Sequence, residues 1–199
     1  MGCVSRISVY FVWFVSISIS LISYRFLAMG LDNAFPVMTK HITHNNLSFI
    51  LHVGASPIAL TLGLFQFLPN LRARRPALHR WNGRIYGLTV LIGGLSGLVM
   101  SYGSLDRPVA AVGFGMLAII WVSVTGNAVR LAIAGRIIEH RRWMIRSFAL
   151  TLAAVTLRLE LPAFEIFGEM EYVQASNYVA WICWIPNLMI AEFYLRRSA

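Results

Sequence analysis

The stretch that decides the fold lies between Arg107 and Arg130 and reads PVAAVGFGMLAIIWVSVTGNAV from Pro108 to Val129. It contains no charged residue. An α-helix of about 20 residues is long enough to cross the ~30 Å hydrocarbon core of a bilayer. This stretch therefore predicts a transmembrane helix, and the rest of the chain can be examined for more of them.

The composition of the whole chain agrees with a membrane protein. Of its 199 residues 58% are hydrophobic and only 13% are charged, whereas globular proteins carry roughly 25% charged residues. This balance excludes a soluble enzyme and a disordered chain. Cys3 and Cys183 are the only cysteines, which also excludes a disulfide scaffold.

Six apolar stretches are long enough to span the bilayer, so we predict an all-α polytopic protein with six transmembrane helices. The first has no small-x-small cleavage site after it, which favours an uncleaved helix. We expect one membrane domain over residues 1–199, divided into a first helix with its loop (1–46), a first hairpin (47–105), a second hairpin (106–165) and a last helix (166–199). The predicted spans lie between Arg6 and Arg25, from about Leu47 to Leu71, between Arg84 and Asp106, between Arg107 and Arg130, from near Trp143 through Arg158, and from about Tyr172 to Ala191.

The arginines indicate the orientation of these spans. With six spans both termini lie on one side, which receives 13 of the 17 Lys and Arg and a net charge of +11, against −2 on the other side. The positive-inside rule then predicts cytoplasmic termini, in the inner membrane of a bacterium. Because the arginines are spread over loops that flank the membrane, nucleic-acid binding is disfavoured.

The loops on the terminal side contain an internal repeat. His79 to Thr89 and His140 to Thr151 share the pattern His-Arg, then Trp-x-x-Arg-x-aromatic-x-Leu-Thr, and Gln66 and Asn127 each precede their histidine by the same distance. Spans 2–3 and 4–5 are thus expected to be two copies of one hairpin that form a repeated four-helix core, as in some transporters. A Gly-x-x-x-Gly at Gly93 and Gly97 favours close packing there.

The repeat suggests a cofactor site. Haem b takes axial imidazoles from facing helices at matched depth, and His79 and His140 are expected to lie at equal depth, with His52 as a further candidate. The neighbouring Arg84 and Arg146 are suited to haem propionates, a quinone or an anionic lipid. Each Trp-Arg pair, Trp81 with Arg84 and Trp143 with Arg146, is also suited to a cation–π contact at the membrane boundary.

Two ionisable residues are predicted inside the membrane, where such groups usually have a partner or a function. His52 lies about two turns inside the second span, and Arg158 lies in the half of the fifth span away from the termini. Arg158 is expected to contact Glu160 or Glu165, to hold a buried anionic ligand, or to extend to the membrane boundary.

Other kinds of site have little support in the sequence. His41, His44 and His52 are the residue type that binds zinc or copper, but hydrogen-bonding roles are favoured and no metal site is predicted. Phosphate-binding loops, nucleophile motifs and cysteine pairs are absent. The lack of a complete catalytic constellation leaves open whether the protein is an enzyme and keeps a structural or assembly role open.

Several of these motifs resemble a family of uncharacterised bacterial multi-pass membrane proteins, a domain of unknown function. They are His52-Val53-Gly54, Phe65-Gln66-Phe67, His79-Arg80-Trp81-Asn82-Gly83-Arg84-Ile85-Tyr86, the run His140-Arg141-Arg142-Trp143-Met144-Ile145-Arg146-Ser147-Phe148-Ala149-Leu150, and Leu157-Arg158-Leu159. The resemblance covers roughly residues 47–165 and implies a multi-helix inner-membrane protein without an established activity.

The predicted site residues coincide with positions in these motifs. We expect a membrane redox protein that binds haem b or a quinone. The alternatives are a transporter or anionic-lipid-binding protein and a non-enzymatic assembly partner. The candidate residues are His52, His79 and His140 for a cofactor, and Gln66, Arg84, Arg146 and Arg158 for a ligand.

Overall fold

The computed structural model describes residues 6–104 and 107–197. Cys3 and Asp106, which entered the sequence arguments, lie outside these residues. Within the described ranges the secondary structure is helical, with one 3₁₀ turn at Pro36–Met38 and no strand. The helices are α1 (Arg6–Ser23), α2 (Phe26–Met29), α3 (Leu31–Ala34), α4 (Thr39–His44), α5 (Asn46–Gln66), α6 (Pro69–Arg74), α7 (Pro76–Tyr102), α8 (Pro108–Ile133), α9 (Ile137–Thr151), α10 (Ala153–Phe167), α11 (Tyr172–Ile182) and α12 (Ile185–Arg197).

Six helical segments of the described chain are long and apolar enough to cross a membrane. They confirm the predicted all-α polytopic fold, in which lipid surrounds the bundle and backbone polar groups are satisfied within helices. The six segments are Ile7–Met29, Asn46–Gln66, Pro76–Tyr102, Pro108–Ile133, Ile137–Phe167 and Tyr172–Arg197.

Some of the predicted boundaries were wrong. The third segment begins at Pro76 rather than after Arg84, and the fifth begins at Ile137 rather than near Trp143. Our estimates began these spans close to the last charged residue. The helices continue through their charged first turns, because arginines at the end of a span can extend to water. His79 and His140 consequently lie in the first turns of α7 and α9.

The fifth and sixth segments are each interrupted once. A single turn at Leu152 separates α9 from α10, and Cys183 and Trp184 separate α11 from α12. The second interruption has a covalent cause, since Pro186 has no N–H to donate to the carbonyl of Ile182. The two interruptions are joined, because the Thr156 hydroxyl and the Asn187 amide both donate to the carbonyl of Cys183.

The helices pack around a four-helix centre made by α5, α7, α8 and α9. The first helix lies on α5, α11 lies on α8 and α12 lies on α9. We call the end of the bundle that holds both chain ends the terminal face, and the opposite end the far face. The largest fully buried side chain is that of Tyr86 of α7, which is 1% exposed and belongs to the main core cluster.

The two copies of the repeat make corresponding contacts at the terminal face. The Arg84 guanidinium lies 5.0 Å from the ring centroid of Trp81, and that of Arg146 lies 5.0 Å from Trp143. His79 and His140 are each the fourth residue of their helix. Their upstream partners differ, because the Gln66 amide donates to the backbone carbonyl of His79, whereas Asn127 accepts hydrogen bonds from Arg130.

Candidate functional site

A cavity of about 730 Å³ lies between α1, α5, α7, α8, α10 and α11, in the half of the bundle nearer to the far face, and we call it the far-face cavity. Its size is in the range of roughly 300–1,000 Å³ that small-molecule sites occupy. Most of its walls are apolar, and no Asp or Glu of the described chain lines it. The ionisable and hydroxyl-bearing lining residues are Ser18, Ser23, Arg25, His41, His52, Ser56, Ser101, Ser104, Arg107, Thr151, Arg158, Tyr172 and Ser176.

His52 is held in one orientation at the wall of this cavity. Its Nδ1 lies 2.8 Å from the backbone oxygen of Gly93. Since a carbonyl only accepts hydrogen bonds, Nδ1 carries the proton and Nε2 keeps a lone pair. Nε2 has no hydrogen-bond partner among the described residues. Gly97 provides the space for the ring, because a Cβ at that position would lie 3.1 Å from Nδ1.

Arg158 lines the same cavity and makes neither of the ion pairs expected with Glu160 and Glu165. One Nη donates to the backbone carbonyl of Ala154 at 2.9 Å, and the other donates to Ser23 Oγ at 3.2 Å. Arg158 therefore has no carboxylate partner in the described part of the chain. The hydrogen bond to Ser23 joins the fifth span to the first.

Arg25 supplies a second guanidinium to the cavity. Its Nε and one Nη donate to the backbone carbonyl of Ala34, at 3.0 and 2.5 Å, and its charge lies 4.6 Å from the ring centroid of Phe35. Again no described carboxylate pairs with it. Arg25 and Arg158 are close enough to interact electrostatically, and so are Arg158 and His52. The like charges of Arg25 and Arg158 and the imidazole of His52 thus share one region of the cavity, which Arg107 and His41 also line.

Two further polar groups lie near His52. Ser56 follows it by one helical turn, and the Ser56 hydroxyl is buried without a hydrogen-bond partner among the described residues. His41, on α4 at the far face, has its Nε2 3.0 Å from Ser104 Oγ. Buried polar groups normally find partners, so the hydroxyl of Ser56 marks a place where the described protein atoms leave a hydrogen bond unmade.

The cavity ends toward the terminal face at a buried polar cluster. Trp121 and Thr151 line the cavity, and the Trp121 indole donates to Thr151 Oγ1 at 2.9 Å. The Tyr86 hydroxyl lies 2.8 Å from Thr151 Oγ1 and 2.7 Å from Ser147 Oγ. Thr125 Oγ1 completes the cluster at 2.6 Å from Ser147 Oγ. We call these five side chains the polar cluster.

His79, His140 and Gln66 lie outside this cavity, at the terminal face. The Nδ1–H of His140 donates to the backbone carbonyl of Ala128 at 2.8 Å, so its Nε2 carries a lone pair. Nδ1 of His79 is buried and has no hydrogen-bond partner among the described residues. The two histidines are close enough to interact electrostatically. A haem between them stays a prediction.

The two repeated arginines have different surroundings. Arg84 is exposed, and its only described contact is with the exposed ring of Trp81, which suits an anchor at the membrane boundary. Arg146 is engaged with the last span, where its Nε and one Nη donate to the two carboxylate oxygens of Glu192. Such bidentate pairs fix geometry as well as charge.

Replacing Glu192 with glutamine is expected to lower the free energy of unfolding by about 1 kcal/mol, because the bidentate pair is partly exposed and partly screened. Glu139→Gln is the matched control. Its pair with Arg136 is more exposed, at 54% and 45% of the two side chains, so its effect should be near zero. Unfolding by dodecyl sulfate in mixed micelles measures both. Equal decreases in the free energy of unfolding would show that the pair of Arg146 with Glu192 stabilises the protein no more than the pair of Arg136 with Glu139.

Sequence reasoning identified His52 and Arg158 but not Arg25 or the polar cluster. Arg25 was treated only as a boundary of the first span. The cluster had one visible signal, since Tyr86 and Thr151 fall at the aromatic and threonine positions of the repeat. Its serine, threonine and tryptophan members are common in membrane helices, so only the rotation of each helix reveals that they meet.

Comparison with known proteins places the chain in a family. The model of the family described as predicted membrane protein (DUF2306) matches residues 49–195, which includes the cavity's His52 and Arg158, the polar cluster and both copies of the repeat. No curated protein and no solved structure gives a significant match. The chain is a membrane-embedded, multi-pass member of the DUF2306 family.

Proposed function

We propose that this protein binds an anionic amphiphile in the far-face cavity, with the charged head at Arg25 and Arg158 and the apolar part along the walls. The observation that carries this proposal is that both guanidinium groups line an apolar cavity and have no carboxylate partner in the described chain.

The electrostatics of the cavity favour an anion over a neutral ligand. Ionisable groups within a membrane bundle usually pair with an opposite charge or serve a ligand. Arg25 and Arg158 are exposed residues whose like charges repel each other, and an anion bound by both relieves that repulsion. A quinone has carbonyl oxygens that accept hydrogen bonds, but it brings no negative charge.

Haem b is a second candidate for the same cavity, and His52 favours it. A histidine whose Nδ1–H donates to a backbone carbonyl offers Nε2 to a metal in a fixed orientation, which is the state of His52. Haem is itself an amphiphile with anionic propionates, which Arg25 and Arg158 are suited to bind. In this arrangement His52 would bind the iron, whereas our sequence prediction placed the haem at His79 and His140 and named His52 as a further candidate.

We also propose that the termini are cytoplasmic and that the protein lies in a bacterial inner membrane. The excess of arginine at the terminal face supports this orientation. The cavity then lies in the half of the bundle toward the periplasm. A cavity on that side fits both a lipid-binding protein and a transporter.

Native mass spectrometry of the purified full chain tests the main proposal. We expect dioleoyl phosphatidic acid to be retained over dioleoyl phosphatidylcholine. Arg158→Gln should reduce that retention about tenfold or more, since a hydrogen bond to a charged group contributes roughly 1.5–3 kcal/mol. Arg84→Gln is the control, because Arg84 lies outside the cavity. Equal retention of the two lipids, or an unaffected Arg158 variant, would refute the proposal.

A reduced-minus-oxidised spectrum of protein from haem-replete cells tests the second candidate. A b-type α band that is lost in His52→Ala and kept in His140→Ala would locate haem in the far-face cavity. The opposite pattern would favour the terminal-face pair, and a spectrum without the band would exclude bound haem b.

A further inference from the structure

We infer that the head group held by this cavity is a phosphate monoester of a lipid rather than a phosphate diester. The inference rests on the proposed anionic amphiphile and names its chemical class. It depends on His52, which lies at the same cavity as Arg25 and Arg158 and interacts electrostatically with Arg158.

The free nitrogen of His52 distinguishes the two kinds of phosphate. Because Nδ1–H is committed to the carbonyl of Gly93, Nε2 can only accept a hydrogen bond unless the ring gains a proton. A phosphate diester has acceptor oxygens alone, so it would place an oxygen lone pair against that of Nε2. A phosphate monoester has a second ionisation near pH 6. It therefore brings a proton that Nε2 and a phosphate oxygen can share, whichever of them holds it.

Net charge does not separate the two kinds of head group. His52 and a monoester that share one proton carry one negative charge in total, as do neutral His52 and a diester. Either head group brings negative charge to Arg25 and Arg158, in a cavity that Arg107 also lines. The shared proton is therefore what distinguishes the monoester. The buried hydroxyl of Ser56, one turn from His52, is a further donor without a described partner.

The walls favour a lipid over free phosphate. The cavity is lined mainly by apolar side chains from six helices, including Phe14, Val53, Leu157 and Val179. Inorganic phosphate would make contact only with the polar region and leave these walls unused. An acyl or isoprenoid chain would fill them and make van der Waals contacts with these side chains, and it would remain in an apolar environment as it moved from the surrounding bilayer.

The test compares dioleoyl phosphatidic acid, a monoester, with dioleoyl phosphatidylmethanol, a diester whose head group has no O–H, on the full chain in micelles by native mass spectrometry. We expect phosphatidic acid to bind at least fivefold more tightly. His52→Phe should remove this preference and leave phosphatidylmethanol binding within twofold, and His44→Phe, outside the cavity, should keep it. Millimolar inorganic phosphate should not displace phosphatidic acid.

A second variant guards against loss of folding in His52→Phe. Gly97→Ala keeps the imidazole but crowds it, because the new methyl group would lie 3.1 Å from Nδ1, and it should weaken the preference in the same direction. Equal binding of both lipids to the wild type, or a preference that survives both variants, would overturn the inference. Displacement by inorganic phosphate would overturn its lipid part. Retention of both anionic lipids over phosphatidylcholine would still leave the proposed function standing.

Discussion

Replacing Tyr86 with alanine is expected to lower the free energy of unfolding by about 3–5 kcal/mol, the range for removing a large aromatic side chain from a packed interior. Tyr86 is 1% exposed and belongs to the main core cluster. Its hydroxyl joins α7 to Ser147 and Thr151 of α9. Both the ring and the hydroxyl are lost in this variant, and dodecyl sulfate unfolding in mixed micelles measures the change.

Tyr86→Phe separates the ring from the hydroxyl. The polar cluster makes six close contacts through five donor hydrogens, from the hydroxyls of Tyr86, Thr125, Ser147 and Thr151 and the indole of Trp121. One contact therefore lacks a hydrogen at any moment. Tyr86→Phe removes one donor hydrogen and the two contacts of the Tyr86 hydroxyl. Each of the four remaining contacts then has a donor hydrogen of its own. We expect Tyr86→Phe to lower the free energy of unfolding by less than about 1.5 kcal/mol. A decrease as large as that of Tyr86→Ala would show that the hydroxyl, not the packed ring, stabilises this region.

Replacing Gly113 with leucine is expected to lower the free energy of unfolding by about 3 kcal/mol. A Cβ at Gly113 would lie 2.9 Å from both Cβ and the carbonyl oxygen of Ala180 on α11. Backbone atoms cannot rotate away as a side chain can, so α8 and α11 must separate and both lose their packing. Because Ser176 and Val179 of α11 line the cavity, lipid binding should weaken as well.

Gly126→Leu is the matched control on the same helix. No atom lies within 4 Å of a Cβ at that position, and leucine has the higher helix propensity by up to about 1 kcal/mol. The control should leave stability unchanged or slightly raised. If the two variants lost stability equally, the close approach of α8 to α11 would not be the cause.

The spans could be predicted because the bilayer imposes a simple condition on sequence. A segment without internal hydrogen bonds cannot cross hydrocarbon, so uncharged stretches such as residues 108–129 identify helices directly. The ends of the spans are less well determined, as Pro76 and Ile137 show, because arginines near a helix end can reach water while their backbone stays helical.

The site was harder to predict because it depends on helix rotation and on pairs that are distant in sequence. Depth alone identified His52 and Arg158 as candidates. Nothing in the order of residues shows that Arg158 contacts Ser23 rather than Glu160, or that Arg146 pairs with Glu192 while Arg84 stays exposed. The repeat predicted matched positions for His79 and His140, but it could not show that the cavity with two unpaired arginines lies at the other end of the bundle.

The joined interruptions of the fifth and sixth segments have a mechanical consequence. Thr156 and Asn187 tie the two bends through one carbonyl, and the stacked rings of Phe164 and Tyr178, 6.0 Å apart, join α10 to α11 above them. The two helices α10 and α11 are therefore held to each other at two levels. We expect a displacement of one helix to carry the other with it, and with them the cavity-lining Arg158 of α10 and Ser176 and Val179 of α11.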